Sequence, residues 1–265
     1  PNGGVYIKMD HLGPAIVAKL FKGMVDRCRD CGFDLAGGLV EVVPTAHYMM
    51  GGVEFAADCR TELHGLFVAG EDAGGVHGAN RLGGNGVANS TVYGAVAGDV
   101  MAEWVRKETL RDPDPAAVEQ VIQACEPRNS NTHGSLEPVR ERLYDLMWQK
   151  VGIIRDEAGL RAALAELNSL EEELDRTGIA DGNRAFNLTW HDWLNLKSLA
   201  QTSRAIAQAA LARTDSRGAH FREDFPEAGP LESSSFTSLR LSGGKLQIQM
   251  KPVAFTRVRP GQSLV

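Results

Sequence analysis

Four short stretches of the chain hold side chains able to do chemistry. The first is "HGANRLGGN", residues 77 to 85, which sets Arg81 between a histidine-bearing turn and a glycine-rich turn. A guanidinium is a planar fork suited to gripping a carboxylate with two parallel hydrogen bonds. Gly83 and Gly84 expose backbone amides, and a helix starting near Gly86 turns its positive end toward the same place. An anion is favoured there from both sides. The competing reading is an arginine paired with Glu71 or Asp72 as scaffolding.

The second stretch is "PTAHYMMGG", residues 44 to 52. His47 follows a strand that Pro44 stops, so a loop carries it, and Gly51 and Gly52 let backbone approach a ligand. A lone loop histidine is equally a structural or surface residue. The third stretch, "GLFVAGED", residues 65 to 72, reads as a short strand ending in Gly70-Glu71. A carboxylate at the carboxyl end of a strand can accept hydrogen bonds from a ribose. It can also cap a helix or face solvent. The fourth is "SRGAHFREDFP", residues 216 to 226, with Arg217, His220, Arg222, Glu223 and Asp224 packed too densely for an ordinary turn. A mutually paired surface network accounts for most of these charges. Cys28 and Cys31 form a C-x-x-C pair, but no second pair follows at zinc spacing. Two reduced thiols near a helix end are expected, with no metal, in a reducing compartment.

The elements that must position these residues follow from hydrophobic periodicity. Ile16, Leu20, Met24 and Cys28 lie four apart and predict one helix over residues 13 to 31, ended by Gly32. "LVEVVP" predicts a buried strand, and "GGVEF" and "GLFVAG" two more. The small-residue run from residue 86 to 107, with Gly94 and Gly98 four apart, predicts a helix able to approach a sheet or ligand closely. Past the linker "DPDPAA", helices are predicted near 115–125, 135–151, 156–176 and 185–213, with Asp156 and Asp181 near helix starts. Leu188, Leu194, Leu199, Ile206 and Leu211 give the last helix an apolar face, and the set predicts a bundle. Between residues 235 and 258, alternation around Gly243-Gly244 predicts a hairpin. The fold class expected is mixed α+β: a partial α/β unit, a helical bundle and a C-terminal β-hairpin tail.

Composition narrows the function. Of 265 residues, 43% are hydrophobic and 23% charged, enough apolar material for a normal core. The net charge of −6, without a basic patch, argues against nucleic acid. No apolar run approaches the roughly 20 residues of a membrane span, so direct membrane insertion is not expected. The chain opens "PNGGVYIKMDHLGP" without an initiator methionine, and one part of a longer polypeptide is expected.

Taken together, in this order and at this spacing, the four stretches resemble the flavoprotein subunit of succinate dehydrogenase and fumarate reductase. The likeness runs from about His11 to Pro226. It implies an oxidoreductase that moves a hydride between FAD and a dicarboxylate. It implies that His47 binds a carboxyl group of the dicarboxylate, that Arg81 clamps a carboxylate of succinate or fumarate, and that Glu71 binds the FAD ribose. Gly51, Gly52, Asn85, Gly86 and Val87 are the further cofactor-binding positions, the amides near Gly86 and Val87 facing the flavin pyrimidine edge.

The resemblance also implies domains: the end of a capping domain at 1–43, the C-terminal part of the FAD-binding domain at 44–110, a helical domain at 111–213 and a tail at 214–265. The G-x-G-x-x-G cradle for the FAD pyrophosphate does not occur in this sequence. The chain therefore corresponds to the C-terminal half of the family's subunit and is expected to be inactive alone. A serine followed by leucines is common in the family after "GGN", where this chain reads "GVANSTVYG". Two alternatives stay open: an L-aspartate oxidase or other dicarboxylate flavoenzyme, and a module that docks an iron-sulfur subunit. A cytoplasmic location is expected, with any membrane association supplied by other subunits.

Overall fold

A computed structural model describes residues 5–43, 47–126, 135–179 and 181–262. The chain divides into two compact units, 1–47 and 48–265.

In the first unit, β1 (Val5–Lys8) pairs antiparallel with β2 (Leu39–Val42), Val5 opposite Val42 and Lys8 opposite Leu39. Between them run α1 (Pro14–Leu20) and α2 (Lys22–Asp30). The single helix expected over 13–31 is thus two helices, broken at Phe21. The buried stripe is also not the expected one. Val17 and Val25 are buried with Leu35 and Val40, while Ile16, Leu20 and Met24 are exposed. Gly32, with φ +82°, ends α2 as expected. Of the β2 residues only Val40 is buried, so the fully buried strand expected there is a half-covered one. Cys28 and Cys31 are free thiols, as are Cys59 and Cys125.

The second unit begins with a run of turns. The strands expected at "GGVEF" and "GLFVAG" reduce to isolated bridges, Val53 with Ala73 and Arg60 with Phe67. Their flanking glycines explain this. Gly52, Gly65, Gly70 and Gly75 all take positive φ and turn the chain away before a ladder can extend. Then α3 (Asn85–Lys107) lies over these turns, held by aromatic contacts. Phe67 meets the Trp104 ring edge-on at 5.8 Å and Phe55 meets Tyr93 at 5.9 Å.

α4 (Pro115–Cys125) starts at Asp114, whose side chain accepts from the Ala116 amide, with Pro115 in the first turn. α5 (Glu137–Lys150), α6 (Glu157–Thr177) and α7 (Leu188–Ala212) form the bundle. Leu160, Ala163, Leu167, Leu170 and Leu174 recur at three- and four-residue spacing on α6 and are all but fully buried. Each such leucine contributes about 1.5–3 kcal/mol by burial. α7 answers with Trp193, Leu196, Ala200, Ala207 and Ala210, and its alanines let the two helices approach closely. The leucine face expected for α7 lies partly at the rim: Leu188 is exposed and Leu194 is only partly buried. Asp156 caps α6 as expected, whereas α7 is capped by Asn187, which accepts from the Trp190 amide, and not near Asp181.

Besides β1, two short strands escaped the sequence reading. β3 (Ile154–Arg155) pairs in parallel with β4 (Phe221–Arg222) and ties the fourth stretch to the base of the bundle. The tail forms the expected hairpin, β5 (Ser235–Ser242) with β6 (Lys245–Pro252), joined by Gly243 and Gly244 at φ +57° and +74°. Among the described residues no helix is long and apolar enough to cross a membrane.

Candidate functional site

The turn 77–84 delivers Arg81 to the start of α3. Gly84 takes the left-handed conformation that swings the chain into the helix, and no side chain caps the first turn. The first amides of a helix have no acceptor within it, so the start of α3 presents donors and the positive end of its dipole. Asn85 opens the helix and is exposed, as is Val87, while Gly86 is half-buried. Gly86 is small for a reason. A Cβ there would meet the Tyr48 ring at 3.0 Å and Arg81 Nη1 at 3.5 Å.

Arg81 lies over the face of Tyr48, its guanidinium carbon 4.3 Å from the ring centroid. No carboxylate pairs with it among the described residues, and its buried Nε has no hydrogen-bond partner. The scaffolding pair with Glu71 or Asp72 does not form. Glu71 is exposed and spends one oxygen, Oε1, on the amide of Met49 at 2.9 Å. Asp72 engages through its backbone carbonyl, which accepts from the Val53 amide at 2.7 Å. An arginine with an aromatic floor and no counterion among the described residues is able to receive an anion.

Behind Tyr48 stands a polar pair that spacing alone did not single out. The Tyr48 hydroxyl is 3.3 Å from His77 Nε2, and the rings meet edge-on at 5.3 Å. Asn89, buried on the inner face of α3, donates through Nδ2 to the Gly70 carbonyl at 3.0 Å and stands 3.4 Å from the same His77 nitrogen. Its Oδ1 is buried without a partner. An asparagine at a helix-interior position among alanines and valines was the available signal.

The glycines of the second stretch separate. Nothing lies within 4 Å of a Cβ placed on Gly51, but one on Gly52 would sit 2.2 Å from the Asp72 carbonyl oxygen. Gly52 is required by backbone packing against residues 72–74. His47 is the last residue of the first unit and is exposed; Pro44, Thr45 and Ala46 lie outside the described residues.

The fourth stretch is paired, as expected, but it is not a surface network. Arg222 is fully buried. It holds Asp224 with two 2.7 Å bonds and donates to the carbonyls of Ala210, Leu211 and Arg213. That salt bridge and hydrogen bond hold the Asp224 carboxyl down at about 2. Arg155 donates to His220 Nδ1 at 2.9 Å, and burial with the neighbouring Arg155 pushes His220 down to about 4. Arg217 lies beside Asp215 at 3.6 Å and bonds Ser234.

Known proteins place this arrangement. Residues 140–264 match the family described as fumarate reductase flavoprotein C-term, and residues 2–87 match the FAD binding domain. The chain belongs to the succinate dehydrogenase and fumarate reductase flavoprotein family. A fumarate reductase flavoprotein subunit of Mycobacterium tuberculosis is 33% identical over 97% of this chain and 46% of its own length. L-aspartate oxidase 1 of Ralstonia nicotianae is also 33% identical, over 85% of this chain and 40% of its own. Among solved structures, a variant of Escherichia coli quinol fumarate reductase superposes with a TM-score of 0.85 at 28% identity, over 97% of this chain and 45% of that one. The chain thus spans less than half the length of the relatives it matches.

FAD is the cofactor of this flavoprotein family. The residues present fit it. The uncapped start of α3 presents amide donors able to meet an electron-rich ring edge, and exposed Glu71 has its second carboxylate oxygen unbonded among the described residues.

Proposed function

We propose that the protein carrying this chain interconverts succinate and fumarate, or a similar dicarboxylate, and that Arg81 clamps one substrate carboxylate. The observation that carries the reading is Arg81 itself, a cation stacked on Tyr48 with no acid partner among the described residues. Bound FAD would give or take the hydride. His47 binds a carboxyl group of the dicarboxylate, Glu71 the FAD ribose, and the α3 amides at Gly86 and Val87 the edge of the flavin ring. Asn85 and the Gly51-Gly52 turn line the cofactor. Residues 1–43 belong to the capping domain, 44–110 to the FAD-binding domain, 111–213 to the helical domain and 214–265 to the tail. The pyrophosphate cradle lies outside residues 1–265, so turnover belongs to a polypeptide that contains both parts.

Replacing Arg81 by alanine in the complete flavoprotein should lower kcat/KM on the order of a hundredfold or more, because a charge-assisted clamp on the reacting molecule is lost. Unchanged kinetics would sink the assignment. L-aspartate belongs in the same substrate panel, since the identity to an L-aspartate oxidase equals that to a fumarate reductase subunit.

The helical region, in this reading, also docks an iron-sulfur subunit, through which the complex reaches a membrane from the cytoplasm. Val118, Val121 and Ile122 lie exposed on α4 and support that role. Co-purification of an iron-sulfur subunit that is lost on replacing all three by serine is the expected result.

A further inference from the structure

We propose that Tyr48 is the positioning residue for Arg81, its ring set edge-on against that of His77 so that one face is open to the guanidinium. The inference rests on Arg81 binding the substrate carboxylate.

A chain of contacts runs from the Gly70 carbonyl through Asn89 and His77 to Tyr48 and Arg81. The Gly70 carbonyl can only accept, so the Asn89 atom 3.0 Å from it is the amide nitrogen, a donor. That nitrogen also stands 3.4 Å from His77 Nε2. The Tyr48 hydroxyl stands 3.3 Å from the same His77 nitrogen. The edge-on packing of the two rings at 82° leaves the Tyr48 face free. Arg81 occupies that face at 4.3 Å.

Stacking has a specific consequence for an arginine. It covers the flat of the guanidinium and leaves the N–H edge, the part that grips a carboxylate, unobstructed. No acid or carbonyl among the described residues holds Arg81, and its Nε is buried without a partner. The ring is what limits its rotamers. Gly86 completes the slot, since a side chain there would strike the Tyr48 ring edge at 3.0 Å. Pre-ordering of this kind lowers the entropy lost when substrate binds.

The test uses the complete flavoprotein and malonate, a dicarboxylate that binds without being oxidised, with affinity read by calorimetry. Tyr48→Leu should weaken malonate about tenfold, and Tyr48→Met, whose flexible chain fills similar volume, should do the same. Tyr48→Phe keeps the face and should stay within about threefold of the parent. Thermal melting of the three variants should coincide, which a merely structural role for the ring would not predict. Leu and Met variants that bind malonate like the parent, while Arg81→Ala binds it weakly, would overturn the positioning role and leave the Arg81 assignment standing. Undiminished malonate binding by Arg81→Ala would instead overturn the substrate reading, and this inference with it.

Discussion

The backbone amide of Ala219 donates to the backbone carbonyl of Ala79 at 3.0 Å, so the fourth stretch of the sequence is seated on the turn that carries Arg81. The seat is a tight turn. Arg217 and His220 exchange backbone hydrogen bonds at 2.8 and 3.0 Å, and Gly218 between them takes φ +58°. A Cβ on Gly218 would lie 2.2 Å from the Ala79 oxygen. Replacing Gly218 by alanine should therefore cost roughly 2–4 kcal/mol of stability, combining left-handed strain with a forced separation of the two backbones. Denaturant unfolding of the parent and the variant checks it; a loss under about 0.5 kcal/mol would refute the contact.

Gly51 and Gly52 should behave in opposite ways, although they are adjacent and identical. Alanine at Gly51 meets open space and should leave stability within about 0.5 kcal/mol of the parent. Alanine at Gly52 meets the Asp72 carbonyl and should cost roughly 2 kcal/mol or more. Paired melting curves decide the matter, and equal effects at the two positions would contradict the geometry.

Arg222 ties three parts of the second unit together. It satisfies carbonyls at the end of α7, and its partner Asp224 accepts from the Glu157 amide at the start of α6. Arg222→Met should destabilise the protein by roughly 3–5 kcal/mol, since it leaves a carboxylate and several carbonyls without their donor. Chemical denaturation measures this, and a Met variant as stable as the parent would show the network to be dispensable.

Acid should weaken the fold in two separate windows. His220 sits near 4 in the folded protein against 6.5 for an unstrained histidine, because burial and Arg155 oppose its charge. Between those values the unfolded chain binds a proton that the folded one refuses, so stability falls as pH drops from 6.5 to about 4. Asp224 lies near 2 against 3.8, because of Arg222, so its contribution is present above 3.8 and is lost as pH falls through about 2. His220→Gln, which still offers Arg155 an acceptor, should flatten the upper window and leave the lower one in place. An unchanged slope between pH 6.5 and 4 in that variant would exclude His220 as its source.

Local signals were legible where one residue type decides the outcome. Asp156 marks a helix start, Gly32 a helix end and Gly243-Gly244 a hairpin, because caps and positive φ are properties of the residue itself. The Arg81 turn was legible for the same reason. Periodicity failed in the first unit, where the helix breaks at Phe21 and Val17 and Val25 are buried while the Ile16 stripe is exposed. It failed again around Val53 and Phe67, where glycines cut each apolar run to a single bridge. The β3–β4 pair and the Tyr48–His77–Asn89 group join residues distant in sequence, and no local pattern announces such contacts.

Gly52 and Gly74 face each other across the Val53–Ala73 bridge, and a Cβ on either would enter the backbone of the other. The obstructing atoms belong to the main chain, which every amino acid carries. A crowded leucine can be rescued by shrinking its neighbour, but no second-site change makes room here. These positions, with Gly218, can therefore drift only by moving the chain itself. In a library of random variants they should emerge as sites without suppressors, outlasting residues whose side chains do the chemistry.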